Sequence, residues 1–329
     1  MAAMSIDPSP SATWSKLESR AKLLRQVRAF FDDRGFLEVE TPLLAPEVVL
    51  DTHIEPIATA NPTGDARDAM NSSPAWFLQS SPEAHMKRLL AAGAPPIYQI
   101  SRCFRRGELG PMHNPEFTML EWYRPGDTME QGIALLADLA AEMLGAADVY
   151  RTSYSDAFLH HAGFDPLEID DPSLGEVAAE IVGAEASRTM SRDDQLNLVL
   201  VERVEPHLGH EAPEIVFHYP ASQAALARLS TVDRRVAERF ELYCQGIEVA
   251  NGYCELLDPR ELRERMQREA TRRVESGLPT LPLPEKLLAA MQRGLPPCSG
   301  VALGFDRLVM LAAGVASIGE VLAFPAERA

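Results

Sequence analysis

The stretch Arg239-Phe-Glu-Leu-Tyr-Cys-Gln-Gly-Ile-Glu-Val-Ala-Asn251 constrains the fold more than any other part of the chain. Apolar and polar residues alternate on both sides of Gln245-Gly246, a pair suited to a two-residue hairpin turn. Such a turn pairs Cys244 with Ile247 and Tyr243 with Glu248. Phe240, Leu242, Cys244, Ile247 and Val249 then share an apolar face, while Glu241, Tyr243 and Glu248 share the other. A chain with this hairpin must build an antiparallel sheet with one face against a core. Glu241 and Glu248 stand diagonally on the opposite face, roughly 7–8 Å apart at the backbone. Hard carboxylate oxygens so placed suit a Mg²⁺ ion shared with nucleotide phosphates; a solvated hairpin face is the alternative.

A second strand carries a similar message. From Phe117 to Tyr123 the chain is aromatic and β-branched, and period two puts Phe117, Met119, Glu121 and Tyr123 on one face. Ring, carboxylate and phenol together predict the wall of a polar pocket, where a purely structural strand would present aliphatic residues. Around these strands the spacing predicts helices over Ser15–Arg34, from Pro82 at the first helical position after the cap residue Ser81 to Gly93, over Thr128–Leu144 with Gly145 as a stop, and from Leu308 to Ala313. Short strands are expected at Phe36–Glu40, Ile97–Ile100 and Ser299–Leu303. Asp258-Pro259-Arg260-Glu261 has the form of a capping box opening a charged helix to about Glu275. Between about 150 and 230 the pattern weakens into short helical pieces, read as an insertion in a single domain spanning 15–329. Residues 1–14 read as a loose leader.

Composition narrows the function. Lys and Arg number 31 against 48 Asp and Glu, a formal charge of −17 that argues against a broad grip on nucleic acid. The most apolar stretch, Gly300 to Phe324, is broken by Asp306, Arg307 and Glu320, so no membrane span is expected and the cytoplasm is the default. Cys103, Cys244, Cys254 and Cys298 show no C-x-x-C spacing and predict reduced, structural thiols. His207 and His210 flank Gly209 in a solvated loop and receive no metal role. Neither G-x-x-x-x-G-K-[ST] nor G-x-G-x-x-G nor G-x-S-x-G occurs, so any nucleotide must be held by side chains.

Three separated stretches resemble the signature motifs of class II aminoacyl-tRNA synthetases. They are Gly35-Phe-Leu-Glu-Val-Glu-Thr-Pro42, then Phe104-Arg105 through His113-Asn-Pro-Glu-Phe117 to Glu121-Trp-Tyr-Arg124, and Gly300-Val-Ala-Leu-Gly-Phe-Asp-Arg307. The second, with Gly246-Ile-Glu-Val-Ala-Asn-Gly-Tyr-Cys-Glu255, is similar to the lysyl branch. Only 34 residues precede Gly35, too few for the β-barrel anticodon domain of lysyl-tRNA synthetases. The pattern therefore resembles the truncated subfamily that attaches (R)-β-lysine to a lysine of elongation factor P. Ser80-Ser-Pro-Glu-Ala-His-Met-Lys-Arg-Leu-Leu90 and Phe217-His-Tyr-Pro-Ala-Ser-Gln223 resemble it too.

The resemblance implies an α+β fold with a mostly antiparallel sheet flanked by helices and a helical insertion, and a homodimer built around the first motif. It implies ATP-dependent formation of an aminoacyl adenylate from lysine or (R)-β-lysine, with elongation factor P as the acceptor. Arg105 and Arg307 become the catalytic arginines. Arg105, Gly107, Glu108, His113, Asn114, Phe117, Glu248, Val249, Gly304 and Arg307 become the ATP residues, and Glu241 and Glu248 the Mg²⁺ ligands. Ser81, Glu83, Tyr123, Asn251, Glu255 and Ala302 become the lysine pocket. One departure is that the family's F-R-x-E pattern here reads Phe104-Arg105-Arg106-Gly107-Glu108. Another is Ala302, where lysyl-tRNA synthetases generally have Gly, a methyl expected to favour the β-amino isomer. Lys87, Arg88, Arg102, Arg105 and Arg106 are expected at a basic mouth. A minimal enzyme charging tRNA and a noncatalytic regulator are the competing readings.

Overall fold

In the computed structural model the hairpin turns where the alternation requires. Gln245 and Gly246 both have positive φ, 53° and 74°, the backbone that joins two twisted strands through two residues. Cys244 faces Ile247 and Tyr243 faces Glu248, as expected. Then the register slips: Ala250, not Val249, faces Leu242, and Asn251 faces Glu241. Val249 is the extra residue of a β-bulge. The clean alternation read from the sequence therefore stops at Glu248.

The structure describes residues 8–51, 54–62 and 76–329, so the first seven residues of the expected leader lie outside the described residues. The first half contains α1 (Trp14–Asp32), β1 (Leu37–Glu38), β2 (Leu44–Ala45), β3 (Ala58–Thr59), β4 (Trp76–Leu78), α2 (Glu83–Ala91), β5 (Ile97–Phe104), β6 (Glu116–Pro125) and α3 (Met129–Leu144). Next come β7 (Tyr150–Ser153), α4 (Tyr154–His161), α5 (Asp171–Val182), α6 (Ala184–Ser187), α7 (Arg192–Val199) and β8 (Glu214–Phe217). The rest is β9 (Arg239–Cys244), β10 (Ile247–Cys254), α8 (Pro259–Glu275), α9 (Glu285–Gly294), β11 (Cys298–Gly304) and α10 (Phe305–Ala312).

Eight strands form one sheet in the order β1-β5-β6-β11-β10-β9-β8-β7, and only the outermost pairs, β1 with β5 and β7 with β8, are parallel. The expected α+β class with a mostly antiparallel sheet is what the chain adopts. One sheet face packs on α1, α3 and α10, burying Phe31, Leu136, Leu139, Phe240, Leu303 and Phe305. Against the other face, α2, α8 and α9 close one end around Met86, Leu262 and Leu288. Short helices from α4 onward close the other end around Tyr154, Phe158 and Leu200.

Several boundaries differ from expectation for local reasons. At 36–40 only Leu37 and Glu38 pair in a ladder. Pro82 is the N-cap of α2 instead of its first residue, and the Ser81 hydroxyl accepts from the Glu83 N–H. At α8, Asp258 accepts from the Arg260 N–H, but Glu261 turns to Arg265, so the capping box is only half made. The 150–230 segment contributes β7 and β8 to the main sheet as well as helices. Ser11 and Ala12 donate to the Ala323 and Leu322 carbonyls, so this end of the expected leader is pinned down. All four cysteines are buried free thiols.

The helix α10 begins at Phe305, three residues earlier than expected, which places Asp306 in its first turn. Asp306 is buried, accepts from the Thr118 N–H at 2.8 Å, and pairs with Arg20 of α1 at 2.6 Å. Removing one partner of such a pair leaves a charge without water or counter-ion. Arg20→Met is expected to lower the unfolding free energy in urea by about 3–5 kcal/mol, and the double variant with Asp306→Asn by distinctly less.

Candidate active site

The open sheet face is organised in rows. Across β5, β6, β11, β10 and β9 the register aligns Gln99, Glu121, Ala302, Asn251 and Glu241. The neighbouring row aligns Ile97, Tyr123, Gly300, Tyr253 and Arg239. Above these rows lies a cleft of about 1190 Å³. Phe117, Met119, Glu121 and Tyr123 all line it, as their alternation predicts. Of the residues implied by resemblance, Ser81, Glu83, Arg105, Glu108, His113, Asn114, Phe117, Tyr123, Glu248, Val249, Asn251, Glu255, Ala302, Gly304 and Arg307 line the same cleft. Gly107 and Glu241 do not.

One end of the cleft is cationic. Arg307 donates to the Glu248 carbonyl at 2.7 Å and to His113 Nε2 at 2.8 Å, with the Glu248 carboxylate 3.7 Å away. Because a guanidinium only donates, His113 Nε2 must accept and its proton sits on Nδ1. Burial first, then the charge of Arg307, lowers the His113 pKa and keeps the ring neutral. Arg105 lies 5.0 Å from the Phe117 ring centroid, pairs with Glu108 at 3.6 Å, and keeps a buried Nε–H with no acceptor among the described residues. Gly107 has φ +80 and open space around it, and the turn it allows brings Glu108 back over Arg105. Asn114 is taken up structurally, donating to the Glu116 carbonyl and accepting from the Ala326 N–H.

The other end is anionic. Glu83 on α2, Glu121 on β6 and Glu255 just past β10 surround Tyr123. Glu121 is fully buried, accepts from the Ser81 and Tyr123 hydroxyls, and is pushed up to about 8 by burial and then by the charge of Glu83. Glu255 is pushed up to about 7 by burial, against the pull of Lys87. Two buried acceptors here, Glu255 Oε1 and Asn251 Oδ1, have no donor among the described residues. Buried orphan acceptors cost free energy unless a ligand satisfies them.

Beneath them the floor is bare backbone. A Cβ on Gly300 would stand 2.2 Å from Tyr123 Cε1 and 2.6 Å from Glu255 Oε1, so only glycine lets both groups reach the sheet. Ala302 follows on the same face, directly between Glu121 and Asn251.

Glu241 sits behind this wall, and four donors reach it. Tyr219 and Tyr243 donate to Oε2 at 2.5 and 2.6 Å, and Arg239 and Asn251 to Oε1 at 2.5 and 2.9 Å. Glu205, bonded by Tyr243, is pushed up to about 7 by burial and by Glu241. Sequence reasoning gave no role to Glu205, Tyr219 or Arg239: Arg239 opens the alternating hairpin and Tyr219 lies in the Phe217–Gln223 stretch, whereas Glu205 lies in the insertion without a pattern to mark it. It placed Glu121 on the pocket face but gave it no role. Lys87, expected at a basic mouth, is instead buried in an ion pair with Glu83 and Glu255. His207 stacks on His161 and His210 holds the Pro206 carbonyl; among the described residues no cluster of three or more metal-ligating side chains occurs.

An antiparallel sheet floor with an arginine from each of two motifs at one end and a carboxylate pocket at the other defines a synthetase-type catalytic core. The family model for class II tRNA synthetases (D, K and N) matches residues 5–328, and the chain belongs to this family. A relative from Proteus mirabilis (strain HI4320) is 48% identical over 324 residues, 98% of either chain. Relatives from Klebsiella pneumoniae (strain 342) and Hamiltonella defensa subsp. Acyrthosiphon pisum (strain 5AT) are 47% and 46% identical, each over 97% of this chain and 98% of the relative. All three bear the name elongation factor P–(R)-β-lysine ligase.

Gly300→Ala is expected to fold yet lose at least about 100-fold in affinity for lysine-like amines, since displacing Tyr123 and Glu255 breaks up the anionic end of the cleft. Nucleotide affinity should change less than about threefold. Calorimetric titration of each ligand checks the separation.

Proposed function

We propose that the chain is an AMP-forming ligase that activates lysine or (R)-β-lysine with ATP and transfers it to a lysine side chain of elongation factor P. The observation that carries this reading is the pair of orphaned buried acceptors, Glu255 Oε1 and Asn251 Oδ1, in the cleft that Arg105 and Arg307 also line. Such acceptors suit the ammonium groups of a diamino acid, which would otherwise lose several kcal/mol of hydration on entering the pocket. The names of the relatives add the acceptor protein and the isomer.

In the first half-reaction a carboxylate oxygen of the amino acid attacks the α-phosphorus of ATP. The new O–P bond forms as the bond to the bridging oxygen breaks, and pyrophosphate leaves. Arg105, with its unpaired Nε–H, is suited to neutralise charge building on the α-phosphate. Arg307, fixed by the Glu248 carbonyl and neutral His113, is suited to the far phosphate and adenine. Glu108, which lines the cleft beside Arg105, is suited to substitute for the family's F-R-x-E glutamate at the adenine amino group, with a backbone group or looser ATP binding as the alternatives. In the second half-reaction the deprotonated acceptor amine attacks the adenylate carbonyl. A C–N bond forms, AMP leaves and a proton is lost to solvent, with no nucleophile required from the chain.

Mg²⁺ fits the donors present. Burial and the charge of Glu241 raise the Glu248 carboxyl, a repulsion that a hard cation relieves. With no cage of three ligands among the described residues, the ion would be held by Glu248 together with phosphate oxygens, while Glu241, which does not line the cleft and already accepts from four donors, would act as a neighbouring negative charge and not as a ligand. Bound there, it would supply charge neutralisation along the phosphate chain. The same reading takes 15–329 as one catalytic domain with an insertion at 150–230, working as a homodimer around Gly35–Pro42, for which light scattering is the check. Among the described residues no helix is long and apolar enough to cross a membrane, in keeping with a cytoplasmic enzyme.

The deciding assay offers ATP, Mg²⁺ and either lysine isomer with elongation factor P and bulk tRNA together. A single lysyl-sized mass increment on the factor with tRNA uncharged is expected; charged tRNA with unmodified factor would make the chain a tRNA-charging enzyme, and neither product a regulator. Arg105→Ala should lower ATP–pyrophosphate exchange by about 10²–10³-fold. Ala302→Gly should shift preference towards α-lysine by about tenfold, and an unchanged ratio removes the methyl as its cause. The KM for the amino acid should rise as pH falls through about 7, where Glu255 takes up a proton and the pocket loses a negative charge. One proton in competition limits that rise to about tenfold per pH unit.

A further inference from the structure

Lys87 is the only amine drawn into the anionic end of the cleft among the described residues. It projects from α2, is 4% exposed, and places Nζ 2.5 Å from Glu83 Oε1 and 2.5 Å from Glu255 Oε2. Its ammonium also lies 6.0 Å from the Tyr123 ring centroid. Burial lowers its pKa, but Glu255 and Glu83 more than offset this and raise it. Lys87 does not line the cleft, whereas both of its partners do. It therefore grips one oxygen of each carboxylate from behind and leaves Glu255 Oε1 open.

We propose that Lys87 is a positioning residue of the amino-acid pocket, a permanent cation shielded from solvent that aligns Glu83 and Glu255 and sets how much positive charge the pocket takes from its ligand. This rests on the functional reading above. With Lys87 in place, two carboxylates share one fixed positive charge and the pocket has room for a further ammonium. Without it, three acidic groups crowd together and protonate instead, and the ligand's ammonium loses the anions that attract it. The groups that interact with this cluster are Glu121 and Tyr123 on β6, Tyr253 and Cys254 on β10 and Cys298 on β11. None of these is cationic, and Arg239 beside Tyr253 is engaged by Glu241.

The test is amino-acid-dependent ATP–pyrophosphate exchange measured from pH 6 to 9 on the full chain, with wild type, Lys87→Met and Lys87→Arg. The wild type should show two breaks in amino-acid KM, near pH 8 where Glu121 takes up a proton and near pH 7 where Glu255 does, and the lower one is followed in the variants. In Lys87→Met the break should move up by at least about one pH unit, with KM raised about tenfold or more at neutral pH and the KM for ATP within about twofold. Lys87→Arg, which keeps the charge, should keep the break while raising KM. An unshifted break in Lys87→Met, or equal rises in KM for ATP and amino acid, overturns the proposal. If Lys87→Met does not fold, a shifted break in Lys87→Arg overturns it as well. Failure of wild type to exchange with either lysine isomer would instead strike the functional reading, so the two failures are distinct.

Discussion

The site depends on one extra residue in β10. If β10 alternated without interruption, Glu248 would face one side of the sheet while Asn251, Tyr253 and Glu255 faced the other, buried against α3. The bulge at Val249 resets the alternation, so the carboxylate beside Arg307 and the orphaned acceptors of Asn251 and Glu255 share a face. Ala250 and Cys254 take the core positions that the shift leaves for them. The reaction joins an amino acid to a phosphate, and both must lie on one side of one surface.

That surface carries more charge than a sheet face usually tolerates, and the two halves handle it differently. Around Glu241 every oxygen is satisfied by Tyr219, Tyr243, Arg239 and Asn251, which fixes the wall in one arrangement. Around Glu255 the compensation is incomplete, since Lys87 takes one oxygen and the other has no donor. The closed network gives rigidity and the open one keeps a buried acceptor unsatisfied among the described residues. Asn251 belongs to both, donating to Glu241 while its own oxygen stays unclaimed, so a ligand there is coupled to the rigid wall.

Much of this was legible. Alternation alone put Phe117, Met119, Glu121 and Tyr123 on a pocket wall and paired Tyr243 with Glu248, because period two is read directly from side-chain type. The bulge was hidden, since Val249 is apolar and buried whether or not it adds a residue. β7 and β8 were hidden because each has only four residues and their partners are distant in sequence. From the sequence Lys87 reads as part of a basic mouth, although Glu83 four residues earlier on a helix is a clue to pairing. Family motifs supplied the site residues that patterning left out, yet they gave no hint that Glu241 stands behind the wall.

Gly300 and Ala302 are two residues apart on the same face of the same strand, and they differ in freedom. At Gly300 any side chain collides with Tyr123 and Glu255, so this position is locked to the existence of the pocket. Ala302 already carries a methyl between Glu121 and Asn251, and trimming or keeping it changes the space above the floor without unmaking the sheet. Position 302 can thus change through a single codon without cost to the sheet, while Gly300 stays closed to drift.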